Sequence, residues 1–333
     1  MTAEPPLVSV ITPTRNRARL LTQTLNSVAA QTLSAWEHLV IDDGSDDGTA
    51  EMMAARTAVD PRFSYIVRQN PPAGGNACRN IGIRAARAPL IVLLDSDDLL
   101  APNCLERRVG VMSRNQDLDF ATFQSSVFQA DIGDLGRVLD DQLVGDDLCR
   151  FLCFEAPWIT TGPIWRRESL LKLGLFDEAL LSWQDIELHV RAIAAGYRYI
   201  RFPDVDNHVR WQFEPTKVSV EQRRSPRHLE GAIDVIERLE AHVRGGPGMD
   251  WVRQRALCGL YFFVAERWVE RRELRAGLDA WRHVRSRKLG SAQLHATGSL
   301  LLIFKRLGIP TATAIRKWKG WARLRSQPEI VPA

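Results

Sequence analysis

The chain of 333 residues is poor in long apolar runs, poor in cysteine, and has no lysine in its first 150 positions. A bilayer span takes about 20 consecutive apolar residues. The longest late run, Gly298 to Phe304, is cut by Lys305-Arg306, which excludes a spanning segment. The opening, MTAEPPLVSVIT, has no charged stretch leading into a long apolar one, so no signal peptide is expected. The five cysteines, Cys78, Cys104, Cys149, Cys153 and Cys258, are odd in number and form no CxxC pair. That argues against a disulfide scaffold or a zinc cluster and fits a reducing cytosol. The P-loop spacing and GxGxxG are both missing, so neither a Walker NTPase nor a dinucleotide-binding Rossmann protein is favoured. Internal repeats and low-complexity runs are absent as well.

What is present is a globular composition, 45% hydrophobic and 25% charged, able to bury a sizeable core. The formal net charge of +4 is unevenly spread. Residues 1–150 carry 14 Arg against 20 acidic residues, residues 151–250 carry 13 basic against 15, and residues 251–333 carry 17 basic against 5. Five of the ten tryptophans also lie in that last stretch. Such a basic tail has two readings. It is a set of amphipathic helices on an anionic membrane surface, or it is a helical bundle packed on protein with its charges solvated. No recognition motif accompanies the charge, so no nucleic acid partner is expected.

The first 125 residues alternate between strand and helix patterns. Strands are read at Leu7–Thr12, Glu37–Asp43, Phe63–Gln69 and over APLIVLLD, the last apolar on both faces as a central parallel strand is. Leu20, Leu21, Thr24, Leu25 and Val28 fall on a 3.6-residue period, and Asn76–Arg87 reads as a helix. This pattern implies an α/β fold with a mainly parallel central sheet flanked by helices, and ligands at the carboxyl ends of the strands. A strand at Asp119–Val127 is followed by an irregular acidic stretch. Trp158–Val205 then gives a strand, a short helix, a helix over about 183–195, and a strand ending at Pro203. From Ser225 onward the pattern is helical, broken at Arg244–Gly248.

Two strand ends are crowded with carboxylates. LLDSDDLLAP places Asp95, Asp97 and Asp98 after the fourth strand, and VIDDGSDDGT places Asp42 and Asp43 after the second. Alone, the first is either a capped turn, with Asp98 capping a helix near Pro102, or a cation site. Hard oxygen ligands there suit Mg2+ or Mn2+, which keep waters and bind substrate phosphates. Two such ends on neighbouring parallel strands converge on one crevice and suit a nucleotide. Further on, SWQDIELHVR puts Asp185 at a helix start with His189 one turn away; a purely structural reading is a carboxylate favoured by the helix dipole.

Four blocks together resemble family 2 of the nucleotide-sugar glycosyltransferases, with the GT-A fold. They are VSVITPTRNRARLLTQTLNSVAAQT, HLVIDDGSDDGT, GGNACRNIGIRAARAPLIVLLDSDDLLAP and LFDEALLSWQDIELHVRAIAAGYRY, in the family's order and spacing over about residues 7–220. The resemblance implies that Pro13 and Arg15 border the nucleobase pocket and that Asp43 hydrogen-bonds the base, with Asp42 also among the nucleotide-sugar-binding residues. It sets Arg79, with Asn80 beside it, at the donor diphosphate. It sets Asp95 on the sugar side and Asp97 on the metal, with Asp185 as general base; Gln184 replaces the family's Glu before it. Either His208 or Gln212 stands where the family has a metal-proximal histidine.

The resemblance therefore implies an inverting, Mn2+- or Mg2+-dependent glycosyltransferase. It would move a sugar from a nucleoside-diphosphate sugar to a hydroxyl of a glycan or lipid-linked acceptor, in bacterial-type surface polysaccharide or lipopolysaccharide assembly. The expected organisation is a catalytic domain over 1–220, with a nucleotide-sugar part to about 125 and an acceptor part over 126–220. A basic helical region follows over 221–333. The expected location is cytoplasmic or peripheral on the inner face of the plasma membrane, and homo-oligomerisation is left open. The alternatives are a non-catalytic module that binds a nucleotide sugar or glycan, and a sugar nucleotidyltransferase.

Overall fold

The structure, a computed structural model, describes residues 5–69, 74–139, 145–211 and 225–311. In chain order the first elements are β1 (Val8–Thr14), α1 (Ala18–Ala29), β2 (Trp36–Asp42), α2 (Thr49–Val59), β3 (Phe63–Val67), α3 (Gly75–Ala85) and β4 (Leu90–Leu93). Next come β5 (Leu99–Leu100), α4 (Cys104–Arg114), β6 (Phe120–Phe128), β7 (Arg137–Val138), α5 (Asp147–Leu152) and β8 (Pro163–Arg166). They are followed by α6 (Arg167–Leu173), α7 (Gln184–Ala194) and β9 (Tyr199–Arg210). Four long helices close the described chain: α8 (Pro226–Gly245), α9 (Trp251–Glu270), α10 (Leu274–Ser286) and α11 (Ala292–Arg306).

The chain divides into two compact units: residues 1–143, 158–179 and 197–213, and residues 144–157, 180–196 and 214–333. The first holds a nine-stranded sheet in the order β3-β2-β1-β4-β8-β6-β9-β5, with β7 on β6. β1, β2, β3 and β4 pair in parallel, and β8 joins β4 to β6 antiparallel to both. Because β9 is parallel to β6, strands β1, β2, β3, β4, β6 and β9 all run one way and end at one edge. That edge gathers the strand ends Thr14, Asp42, Val67, Leu93, Phe128 and Arg210.

The local reasons are legible. β1 is rich in β-branched residues and almost wholly buried. α1 buries Leu21, Thr24, Leu25 and Val28, the stripe its period predicts. α3 lies close on β1 because Gly82 has no side chain; a Cβ there would strike Ile11. β2 is buried along its whole length although it carries Glu37 and His38. Glu37 is met on both oxygens, by Ser9 Oγ donating to Oε1 at 2.7 Å and Arg87 Nε to Oε2 at 2.7 Å. His38 is met on one nitrogen: Nε2 lies 2.8 Å from Thr12 Oγ1, and Nδ1 is a buried atom without a hydrogen-bond partner. Below β6 and β9, the Arg108–Asp206 ion pair is completely buried, with Nε and Nη2 donating to the carboxylate at 2.9 and 2.6 Å.

Three expectations change. The strand expected to end at Pro203 continues to Arg210, because β9 pairs with β6 over its whole length through an irregularity at Gln124. The acidic stretch read as irregular contains α5, started by Asp146, whose carboxylate accepts from Cys149 N at 3.1 Å. Asp98 caps no helix, since α4 begins after Asn103 without a side-chain cap. None of the five cysteines is in a disulfide.

In the second unit α9 is the central helix, burying Leu257, Leu260, Phe262, Val264 and Trp268 around its circumference. The expected break at the glycines separates α8 from α9, and Asp250 caps α9 by accepting from Arg253 N. Trp281 of α10 donates to His295 O at 2.9 Å, and Gly298 lets α11 approach its indole. No described helix is long and apolar enough to cross a membrane.

Candidate functional site

At the end of β2 the two aspartates part company. Asp42 is buried and accepts from Tyr65 Oη at 2.5 Å, Ser45 Oγ at 2.6 Å and Ser45 N at 3.1 Å. Burial and the adjoining Asp42 charge push the Tyr65 phenol well up, so it stays a donor. The turn closes through Gly44 at φ +83°, a left-handed conformation that a side chain would strain. Asp43 is half-buried and tied to β1 by its N–H, which donates to Thr14 O at 2.9 Å. Its carboxylate takes Arg68 Nε at 2.6 Å. Pro13 is half-buried and Arg15 is exposed beside this turn. Asp42 thus shapes the turn, while Asp43 with Arg68 forms its charged face. Arg68 escaped the sequence reading; a basic residue at the end of the third strand was the available signal.

The start of α3 supplies the next group. Arg79 is 5% exposed and donates through Nη2 to Asp95 Oδ1 at 2.5 Å. Its Nε is a buried donor without a hydrogen-bond partner, and so is the nearby strand end's Thr14 Oγ1 as an orphaned hydroxyl. Buried orphan donors are rare and costly, and anions relieve them. Gly75 leaves room for the guanidinium, which a Cβ there would press at 3.0 Å. Asn80 is committed elsewhere: Nδ2 donates to Phe176 O at 2.9 Å and Glu178 Oε1 at 2.8 Å, and Oδ1 accepts from Phe176 N at 3.0 Å. Asn76, one turn earlier, donates to Asp177 O at 2.9 Å. These asparagines hold the 176–178 loop against α3, a role the sequence reading missed for Asn76.

The acidic turn follows β4 and Leu94, whose N donates to Ile11 O at 2.9 Å. Asp95 is the most open carboxylate, at 39% side-chain exposure, against 18% for Asp97. Asp95 is paired with Arg79, and Asp97 with Arg17. Asp98 is buried, accepting from Thr161 Oγ1 at 3.0 Å and Arg210 N at 3.0 Å. Burial first, then the Asp95 and Asp97 charges, hold its carboxyl well above the usual carboxylate range. His208 stands across the sheet from Leu99 and Ser126, with Nδ1 2.6 Å from Ser126 Oγ, and burial lowers its pKa. Gln212 lies outside the described residues.

Among the described residues no three His, Cys, Asp or Glu side chains come together around a metal position. Asp95, Asp97 and His208 are therefore no closed ligand set. The donor chemistry nevertheless suits a hard cation that rests on one or two carboxylates and completes its shell from phosphate oxygens and water. The orphaned Arg79 Nε beside Asp95 suits the phosphates.

Asp185 occupies the first turn of α7 in the second unit, half-buried, its Oδ1 accepting from Ile186 N at 2.9 Å. Trp183 before it takes φ +57° and packs edge-on against Phe154 at 4.5 Å. His189 is no partner in chemistry: it is buried beside Phe151, and desolvation lowers its pKa to about 3. Glu187 is held by Arg191 and by His242 Nε2 at 2.9 Å.

Comparison with known proteins accords with this arrangement. The profile described as Glycosyl transferase family 2 matches residues 9–137, and that described as Glycosyl transferase family group 2 matches residues 90–307. The putative teichuronic acid biosynthesis glycosyltransferase TuaG of Bacillus subtilis is 34% identical over 112 residues. That match covers 34% of this chain and 44% of the relative, so the chain spans less than half of its length. TarS of S. aureus, solved in complex with UDP-GlcNAc, superposes with a TM-score of 0.62 at 17% identity, over 95% of this chain and 91% of that one. The mannosyltransferase PcManGT from Pyrobaculum calidifontis, solved in complex with GDP-Man and Mn2+, gives 0.56 at 21% identity, over 97% and 88%. The shared fold is the GT-A architecture, here with a helical C-terminal region.

Proposed function

The chain belongs to the family 2 glycosyltransferases, and from that membership we propose that it transfers a sugar from a nucleoside-diphosphate sugar to a hydroxyl of a glycan or lipid-linked acceptor in surface polysaccharide assembly, with inversion. The observation that carries the donor assignment is Arg79, a buried guanidinium with one orphaned donor set beside Asp95 at the carboxyl edge of the sheet. Such an edge is where open α/β sheets bind ligands. Relatives support the substrate class: TarS is solved with UDP-GlcNAc and PcManGT with GDP-Man.

In this reading Asp43 accepts a hydrogen bond from the nucleobase, with Pro13 and Arg15 at its border. Arg79 donates to the diphosphate as negative charge builds on the leaving group. Asp97, with Asp95 beside it, would hold a divalent cation, which supplies Lewis-acid neutralisation of that leaving group. PcManGT's bound Mn2+ supports this choice of cation. Asp185 takes the proton from the acceptor hydroxyl as it attacks the anomeric carbon. A single displacement of this kind inverts the anomeric centre.

The catalytic portion is taken as residues 1–220, and residues 221–333 as an appended helical region set on an anionic membrane surface. Exposed Leu300, Phe304, Leu307 and Ile309 in and after α11, together with the basic surplus of that region, support this placement. The deciding experiment incubates the full chain with a panel of UDP-, GDP- and TDP-sugars and Mn2+, scoring released nucleoside diphosphate. Release with at least one donor, lost in Asp97→Asn, is the expected result. Pyrophosphate as the product, or no nucleotide bound under any condition, would overturn the proposal.

A further inference from the structure

Arg210 ends β9, and nearly everything polar it carries is aimed at the acidic turn or its surroundings. Its N–H donates to Asp98 Oδ1 at 3.0 Å, and its Nε donates to the main-chain oxygen of Asp97 at 3.1 Å. The two outer nitrogens donate to Gln23 Oε1 on α1 at 2.6 Å and to Gln129 O after β6 at 3.3 Å. The guanidinium carbon lies 4.3 Å from the centroid of the Phe128 ring. One side chain thus ties α1, the end of β6 and two successive residues of the turn together. All of these belong to the same compact unit.

We infer that Arg210 is the positioning residue that sets the aim of the Asp97 carboxylate. This rests on the reading of Asp97 as a ligand of the donor-bound cation. The physical case is geometric. Asp95 and Asp97 are like charges in one short turn, and their side-chain partners Arg79 and Arg17 leave the main chain between them to be held by something else. Asp98 is fixed from two sides, by Thr161 and by the Arg210 N–H, so the turn has an anchored end. The bond from Nε to Asp97 O then holds the backbone of the residue whose carboxylate, paired here with Arg17, would hold the cation. A guanidinium makes this possible because its planar fork donates in several fixed directions at once; a lysine ammonium is a single compact point. Phe128 beneath the plane removes the remaining freedom to swing. The arrangement is the outer support that metal-holding carboxylates need to present the same oxygen each time.

The test is Mn2+ binding, read from the loss of the free-ion paramagnetic resonance signal, with UDP and separately GDP present. It compares the wild-type full chain with Arg210→Lys, Arg210→Ala and Gln23→Ala. Thermal melting is followed on the same samples. Arg210→Lys is expected to keep its melting transition while its apparent Mn2+ affinity falls about 10-fold or more. Gln23→Ala, which removes one tether and leaves β9 intact, should shift affinity the same way by less. Unchanged Mn2+ affinity in Arg210→Lys and Gln23→Ala would overturn the inference. So would a loss that merely follows the unfolded fraction, and the lysine variant decides the matter if the alanine variant does not fold. A wild type that binds neither nucleotide with Mn2+ overturns the donor-site reading itself, and this inference with it.

Discussion

The Tyr65 hydroxyl donates to the Asp42 carboxylate at 2.5 Å, and Asp43, the next residue, faces Arg68 instead. Adjacent aspartates on one strand end therefore do different work, one closing the turn from inside and one pairing with a basic residue at the carboxyl edge of the sheet.

That division separates stability from binding. Asp42→Ala strands the Tyr65 and Ser45 donors and should cost about 1–3 kcal/mol. It should be seen as a lower Tm. Asp43→Asn keeps an oxygen for Arg68 but neutralises a pair whose side chains are only 9% and 8% exposed, so some Tm is lost as well, and its distinguishing mark is a raised KM for the donor. The pair of melting curves and KM values checks both halves.

Asp185→Asn keeps shape and removes the base. If the residue takes the acceptor proton, kcat should fall by about 100- to 10,000-fold with donor KM little changed. Steady-state kinetics at saturating acceptor measures the split, and an intact kcat would rule this residue out as the base.

Arg108 and Asp206 are both 0% exposed. Removing one partner leaves the other charged, buried and alone, which costs about 3–5 kcal/mol. Arg108→Ala should therefore unfold at much lower denaturant than wild type, with activity per folded molecule kept. Chemical denaturation followed by fluorescence gives the comparison.

Two histidines give the stability a pH dependence. Burial lowers His38 and His189 from 6.5 to about 3, so both stay neutral in the folded protein. Above about pH 6.5 neither state takes up these protons and the contribution is full. As pH falls from there toward about 3, the unfolded chain binds protons that the folded one refuses. Stability then drops by about 1.4 kcal/mol per pH unit for each histidine. Unfolding of wild type and His38→Gln between pH 7 and pH 4 should show a shallower slope in the variant.

Much of this was open to reading in the primary structure, for identifiable reasons. The α1 stripe and the strand runs of β1, β2 and β4 follow from periodicity, and the acidic strand ends from local composition. Asp98 could not be placed that way. Its partners Thr161 and Arg210 lie 63 and 112 residues away, beyond any local pattern. The same holds for Asn76 and Asn80, whose helix spacing says nothing about a loop near residue 177. β9 was cut short because Pro203 reads as a strand end. In the fold, pairing with β6 carries the strand past the proline through a register shift. Arg68 is not legible in the same way, because one basic residue at a strand end has no signature of its own.

The anchoring of Asp98 from Arg210 has a kinetic side. That hydrogen bond joins residues 112 apart in sequence, from the end of β9 to the turn after β4, strands that β8 and β6 separate in the sheet. Closing long loops before they are rewarded slows folding. The acidic turn is therefore expected to take shape late in the folding of its unit. On refolding, helix content should return well before Mn2+ and nucleotide binding do.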